Sequence, residues 1–417
     1  MITSLYKSAT QKLKSKEFTQ VVFGKMVEVG GTVLFLKLLA ALFPKELMGS
    51  YLLGTSISAF ILTISFSAIN QGVLRNIEGY KRTSVLSIFY SSGLLGYLVF
   101  CFPVVVALLL MLLGFGLISV SLNVLIVVAL WISLDSIKGY VSCVATALRE
   151  RGQLSIGAAI EFSVKFVAIF GLYYFQEMSV VNIFLMLSAA SFSSTSYLLV
   201  NQRNLFQTPR LNNFVDLFYD SIRFCWPMML WGSFGWSQNM AGRWILESYA
   251  GLTSVAEYGV LTTIGSFPVT AIFGVLANYL QPILYEKHAI NIDIKKIMTR
   301  VIYGSIPIIF LAGFFSSLLH IQIVEILASA NYVKDSFYLP FIVISSAFYW
   351  LGNTLSYSQL AQRKVALLLI PNIIPGVFSI IAGILIIPSL GVAGAILVYC
   401  LGNLIGALIF FFHFYKS

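Results

Sequence analysis

Long apolar segments follow one another along this chain almost without interruption. Twelve can be read, over roughly 19–44, 51–74, 84–113, 115–147, 153–175, 179–201, 221–249, 252–284, 299–318, 336–361, 366–388 and 391–413. About 20 helical residues cross about 30 Å of hydrocarbon, and each segment reaches or exceeds that length. The connections are short, so the spans use nearly all 417 residues and leave no room for a soluble catalytic domain. Only 10% of residues are charged, against about 25% in soluble proteins. Backbone groups in lipid must bond within their own segment, which makes the spans helices; they are too long and too uniformly apolar for barrel strands. The expected fold is all-α and polytopic.

The basic residues give an orientation. Of 26 Lys and Arg, 19 fall at the termini or in even-numbered gaps, among them Lys7, Lys12, Lys14, Lys16, Arg149, Arg151, Arg363, Lys364 and Lys416. Odd-numbered gaps hold only Lys45 and Lys334. Basic residues stay on the cytoplasmic side, so both termini are expected there. The net charge of +10 is therefore topological information. Its partner is anionic membrane lipid rather than nucleic acid. Residues 3–18, with Leu5, Ala9 and Leu13 between lysines, suit a short helix on the inner membrane surface or a frayed basic tail.

No enzyme constellation is visible. His288, His320 and His413 are far apart in the topology and near no Cys or paired carboxylates. Cys101, Cys143, Cys225 and Cys400 fall within spans without CxxC spacing and read as small buried residues. No Walker A pattern occurs, so ATP is not the expected drive. No catalytic residue, metal ligand or cofactor is expected.

The two halves echo each other. Phe43–Ile57 reads FPKELMGSYLLGTSI and Ala250–Ile264 reads AGLTSVAEYGVLTTI; 207 positions apart, Tyr51 meets Tyr258, Thr55 meets Thr262 and Ile57 meets Ile264. Gln71–Arg75 against Gln281–Tyr285, and Leu148–Arg151 against Leu360–Arg363, extend the match. A parallel six-plus-six duplication follows, with an N-terminal lobe 1–201, a cytoplasmic linker 202–220 and a C-terminal lobe 221–417. Transporters built from such repeats hold substrate between them.

Nine charged residues within the spans are candidates for a role in transport. A charge at the bilayer centre costs about 2.5–3.5 kcal/mol on insertion scales, so each needs a partner or a cavity. The five cations are Lys25, Lys37, Lys138, Lys165 and Arg243; the four acids are Glu28, Asp135, Glu161 and Glu247. Lys25/Glu28 and Asp135/Lys138 are i,i+3, while Glu161/Lys165 and Arg243/Glu247 are i,i+4, spacings that place both members on one helix face. Structural pairing, or snorkelling for Lys25, is the alternative to a role in transport. Lys37 and Arg243 are 206 apart, close to the repeat offset, so each lobe is expected to present one cation at similar depth. Span seven holds Trp231 and Trp236, which could stack on sugar rings or simply pack, and Gln238 and Asn239, whose amides could bond hydroxyls.

The basic start, Gly24-Lys25-Met26-Val27 opening the first span, the turn Phe43–Tyr51 with its echo Val255–Gly259, the exit Ala145–Gly152 and the close Pro388–Gly394 resemble the multidrug/oligosaccharidyl-lipid/polysaccharide (MOP) exporter superfamily. The likeness is nearest to its polysaccharide transporter branch, the Wzx-type O-antigen flippases. The resemblance implies a MATE-like pair of six-helix lobes around a V-shaped cavity. It also implies export of an undecaprenyl-diphosphate-linked oligosaccharide across the bacterial inner membrane, alongside the polymerase and chain-length regulator of the same pathway. On that reading Lys25, Lys37, Lys138, Lys165 and Arg243 line the passage and stabilise the diphosphate, with the four acids limiting how tightly it is held. Two rival classes remain: an ion-coupled MATE-type drug extruder, which wants a carboxylate-dominated pocket, and a membrane glycan polymerase or ligase, which wants long external loops.

Overall fold

In the computed structural model, residues 16–82, 85–114, 121–209, 211–289, 294–361 and 369–416 are described, and they are almost entirely helical. The helices are α1 (Lys16–Leu42), α2 (Lys45–Ile61), α3 (Ser67–Arg82), α4 (Leu86–Gly114), α5 (Leu122–Ala147), α6 (Arg151–Tyr174), α7 (Val180–Asn201), α8 (Leu211–Ala289), α9 (Ile294–Leu327), α10 (Leu339–Ala361) and α11 (Ile370–Lys416). A π-helical turn, Leu62–Phe66, joins α2 to α3. Most of the basic N-terminal segment 3–18, together with Arg210, Arg363 and Lys364, lies outside the described residues.

Eight helical stretches are long and apolar enough to cross a membrane, which makes the protein a multi-span membrane protein. Two of them, Cys225–Gly274 and Ile370–Lys416, have 50 and 47 residues, more than twice what one crossing needs. Each turns back at a glycine. Gly251 has φ 76° and Gly391 has φ 56°, the left-handed region where a Cβ is unfavourable. The reversal shows in cross-contacts. A Cβ on Gly242 would lie 3.2 Å from the Tyr258 hydroxyl, sixteen residues away, where a straight helix would hold them about 24 Å apart. Likewise a Cβ on Gly406 would lie 3.3 Å from Pro375.

The chain divides into two compact units. The first comprises Met1–Phe35 and Ile61–Trp226, the second Leu36–Phe60 and Pro227–Ser417. The contact division therefore differs from the lobe boundaries read in sequence: the end of α1 and nearly all of α2 group with the later helices. The linker expected over 202–220 is also shorter. After a 3-10 turn at Arg203–Leu205, α8 has already begun at Leu211. Leu211, Phe214, Val215 and Phe218 follow the i, i+3, i+4, i+7 spacing of an amphipathic helix, a signal that the flanking polar residues concealed.

Within the first unit, α5 and α7 meet along small residues. Ala129, Ser133, Ser136, Ser188, Ala190 and Ser191 are all buried, which lets membrane helices approach closely. Tyr140 stacks on Tyr97 at 4.7 Å and on Tyr90 at 6.1 Å. The buried hydroxyls are satisfied: Tyr97 donates to Asn70 Oδ1 at 2.8 Å and Tyr90 to Gln202 Oε1 at 2.7 Å. Cys101, Cys143 and Cys225 are buried thiols, as small apolar residues would be. In the second unit, apolar clusters around Met298, Ile302, Leu355 and Phe414, and around Val269, Phe273 and Leu351, join α8, α9, α10 and α11.

Candidate functional site

The first unit gathers four of the nine charges read within spans. Asp135 and Lys138 occupy one face of α5, and Glu161 and Lys165 one face of α6. Lys138 Nζ lies 2.5 Å from Asp135 Oδ1 and 3.1 Å from Glu161 Oε2; Lys165 Nζ lies 2.6 Å from Glu161 Oε1. The two helical pairs are therefore one chain of alternating sign, Asp135–Lys138–Glu161–Lys165. Ser191 on α7 adds a hydrogen bond to Asp135 Oδ1 at 3.3 Å. Lys165 is 14% exposed and sits over the rings of Phe162 (4.9 Å) and Phe35 (5.6 Å), so aromatic faces cover what Glu161 does not. Every member has a partner, and the group is neutral overall.

Lys25 and Glu28 pair at 2.7 Å as their spacing predicts, with side chains 38% and 56% exposed. Lys37, in the second unit, is exposed and has no ion pair among the described residues. Arg243 differs from expectation. Its guanidinium is buried and Nη1 donates to the Leu52 carbonyl of α2 at 3.2 Å. It does not pair with Glu247 among the described residues, because the side chain is drawn toward α2. Lys37 and Arg243 thus do not form an equivalent pair across two lobes: both belong to the second unit, one open and one enclosed.

The span-seven residues have internal partners. Trp236 Nε1 donates to the Ser56 carbonyl at 2.7 Å, and its ring lies 4.8 Å from Phe60. Gln238 is 2% exposed and donates to Asn403 Oδ1 at 2.8 Å. Asn239 donates to the Gly235 carbonyl one turn back at 2.8 Å. Trp231 is half-buried. Among the described residues, Trp231 alone of these four makes no hydrogen bond or ring contact, and Gln238 is buried away from the surface.

Two groupings were not singled out in sequence. One is a buried polar string of the second unit, in which Gln238 meets Asn403 and Tyr349 donates to Asn372 Oδ1 at 3.1 Å. Tyr399 joins the string through Ser346 at 3.0 Å. The other closes the two echoed turns of the internal repeat on each other. Lys45 Nζ meets Glu257 Oε1 at 2.6 Å, and Thr253 donates to Glu46 Oε1 at 3.0 Å. Lys45 also lies 5.4 Å above the Tyr332 ring. A Cβ on Gly49 would strike the Leu252 carbonyl, and one on Gly259 would lie 2.6 Å from Leu52 Cδ1. Glu46 and Thr253 are 207 apart, the repeat offset, as are Leu52 and Gly259. The two copies of the echoed segment therefore pack face to face around a near-two-fold relation. Beside them, burial and the Glu257 carboxylate raise the Asp335 carboxyl above its ordinary range, against Lys334 and Lys45, which lower it. Burial pushes the Tyr332 hydroxyl up to about 12.

No protein-family model matches the chain, and no curated protein matches its sequence. Solved structures do match its shape. An inward-facing multidrug resistance MATE family transporter of the MOP superfamily aligns over 96% of this chain and 98% of its own, with TM-score 0.70 and 12% identity. The chain has the fold of the MATE transporters. The Vibrio cholerae MATE transporter VcmN aligns over 98% of both chains, also with TM-score 0.70 and 12% identity. The lipid II flippase MurJ, in an inward closed conformation, aligns over 96% of this chain and 87% of its own, with TM-score 0.67 and 14% identity. At such identities the likeness concerns fold alone.

Proposed function

We propose that this protein is a transporter of the flippase kind. It would move an undecaprenyl-diphosphate-linked oligosaccharide, an O-antigen unit or a similar surface-polysaccharide precursor, from the inner to the outer leaflet of a bacterial inner membrane by alternating access. The observation that carries this reading is how the intramembrane charges are disposed. Asp135 and Glu161, the acids a cationic drug would need, are already occupied by Lys138 and Lys165. The charges left without an opposite partner among the described residues are two cations, Lys37 and Arg243, and one acid, Glu247. With Asp135 and Glu161 already answered and the remaining cations outnumbering the remaining acid two to one, the charges favour an anionic headgroup over a cationic drug. The fold it shares with a lipid II flippase supports a lipid-linked substrate; the fold it shares with multidrug transporters supports the rival, an ion-coupled extruder.

On this reading Lys25, Lys37, Lys138 and Lys165 meet the diphosphate, Trp231 is the aromatic left for a sugar ring, and the pathway's polymerase and chain-length regulator are partners downstream. Deletion of the gene in its host, with surface glycan scored by gel, tests it. Loss of surface polysaccharide with accumulation of lipid-linked repeat units supports the flippase, and restoration by wild-type but not by Lys37→Ala or Lys165→Ala at normal protein level supports the cationic path. Unchanged surface glycan with altered drug tolerance would establish the extruder instead.

A further inference from the structure

Glu161 is shared by two lysines, one carboxylate oxygen to each. Oε1 accepts from Lys165 Nζ at 2.6 Å and Oε2 from Lys138 Nζ at 3.1 Å. Among the described residues no other side chain bonds to that carboxylate. The two lysines have support of their own. Lys138 keeps Asp135, which is itself steadied by the Ser191 hydroxyl of α7. Lys165 keeps the faces of Phe162 and Phe35, 4.9 and 5.6 Å from its ammonium. Glu161 is therefore the displaceable member of the group, and the two ammonium groups are the fixed ones.

The group is also open to a solute. The Asp135 and Lys138 side chains are 22% and 21% exposed, and those of Glu161 and Lys165 14% each. That opening does not face lipid. On α6 the exposed apolar residues Ile156, Val167 and Phe170 form one stripe. At about 100° per residue, Glu161 and Lys165 fall on the opposite side of the helix. On α5, Asp135 lies across from the exposed stripe of Leu122, Ile126 and Leu130 in the same way.

We propose that Glu161 is a built-in competitor at the anion site formed by Lys138 and Lys165, and that the need to displace it selects diphosphate headgroups over ordinary phosphodiester lipids. The inference rests on the flippase reading for its ligand and adds how that site chooses. An O–P–O edge can bridge two ammonium donors as a carboxylate does. A phosphodiester headgroup would replace Glu161 charge for charge, gain no attraction, and leave the carboxylate without its cations. A diphosphate brings at least one negative charge more, so the exchange gains Coulomb energy that offsets stranding Glu161. The membrane around the protein is rich in phosphodiesters, and an internal competitor keeps them from filling the path.

Undecaprenyl diphosphate and phosphatidylglycerol are the probes. Each is titrated into nanodiscs of phosphatidylcholine holding the full chain, at constant ionic strength, and thermal unfolding is followed. Wild type should be stabilised saturably by the diphosphate and not by phosphatidylglycerol. Glu161→Gln should lower the half-saturating diphosphate concentration about tenfold and make phosphatidylglycerol stabilising as well. Lys165→Gln should remove the response to the diphosphate. If Glu161→Gln does not accumulate, Glu161→Asp, too short to reach both lysines, should shift the midpoint in the same direction by less. A midpoint unchanged or raised in these variants, no response to the diphosphate in any of the proteins, or a wild type stabilised equally by phosphatidylglycerol would overturn the proposal. The flippase reading fails separately: a gene deletion that leaves surface glycan unchanged would remove that reading, and the midpoint of Glu161→Gln would still decide the competitor.

Discussion

Lys45 and Glu257 stand 212 positions apart in sequence and 2.6 Å apart in space, both in the second unit. Their side chains are 28% and 16% exposed, so the pair is neither a solvated surface bridge nor fully enclosed. It sits on the contact between the two copies of the internal repeat. Lys45→Ala or Glu257→Ala should lower the unfolding temperature, and the double-mutant coupling should be about 1 kcal/mol. A charge swap, Lys45→Glu with Glu257→Lys, should recover part of the loss. Additive single effects would show that the pair contributes nothing.

The helix crossing beneath that pair depends on absent side chains. Gly49→Ala puts a methyl into the Leu252 carbonyl, a backbone atom that cannot swing aside, and should destabilise by about 1–3 kcal/mol. Gly30 offers an internal control, since a Cβ there meets nothing within 4 Å. Gly30→Ala should be silent or slightly stabilising. Comparing folded yield of the two variants by size-exclusion fluorescence reads this directly.

In the first unit, Glu161 is the one acid shared by two lysines. Glu161→Gln would leave Lys165 with only aromatic faces and Lys138 with Asp135 alone. A loss on the order of 3 kcal/mol is expected, because removing one member of a buried ionic group strands the others. Lys165→Met should cost less, as Lys138 still answers Glu161. Equal losses from the two variants would mean that the chain of charges acts only through packing.

The Asp335 carboxyl has a raised pKa for a physical reason, burial beside Glu257. A carboxyl that holds its proton more tightly when folded makes the fold more stable as pH falls through the folded pKa toward the unfolded value near 3.8. Above the folded pKa, the ionised form detracts from stability. Asp335→Asn should therefore raise the unfolding temperature at neutral pH, and the gain should fade on acidification. A gain that persists unchanged at pH 4 would point to a cause other than ionisation.

Much of the fold was legible because hydrocarbon is an exacting solvent. The segments 153–175 and 179–201 agree with α6 and α7 to within two residues at each end, since apolar length alone defines them. The start of α8 was hidden, because Asn212, Asn213 and Asp216 interrupt an amphipathic pattern that needs no membrane. Charge partners were legible where both lay on one helix, as with Lys25 and Glu28, and illegible where the partner came from elsewhere. Lys138 reaches Glu161 across two helices, and Arg243 turns from Glu247 to a carbonyl of α2. Spacing along a helix defines a face, but only packing decides what that face meets. The repeat echo pointed to 43–57 and 250–264 as equivalent segments; that equivalents would pack on each other is a consequence of symmetry that an alignment does not state.

The glycine reversals at Gly251 and Gly391 carry a practical consequence for anyone probing this protein with reagents that act in water. A hairpin closed within a helix by one residue leaves almost no free chain between its two arms. A protease finds no substrate there and an antibody no epitope, and an inserted tag would have to open a packed helical corner. The 3-10 segment Ala330–Tyr338, with Asn331, Lys334 and Phe337 exposed, is the accessible handle that the second unit offers instead.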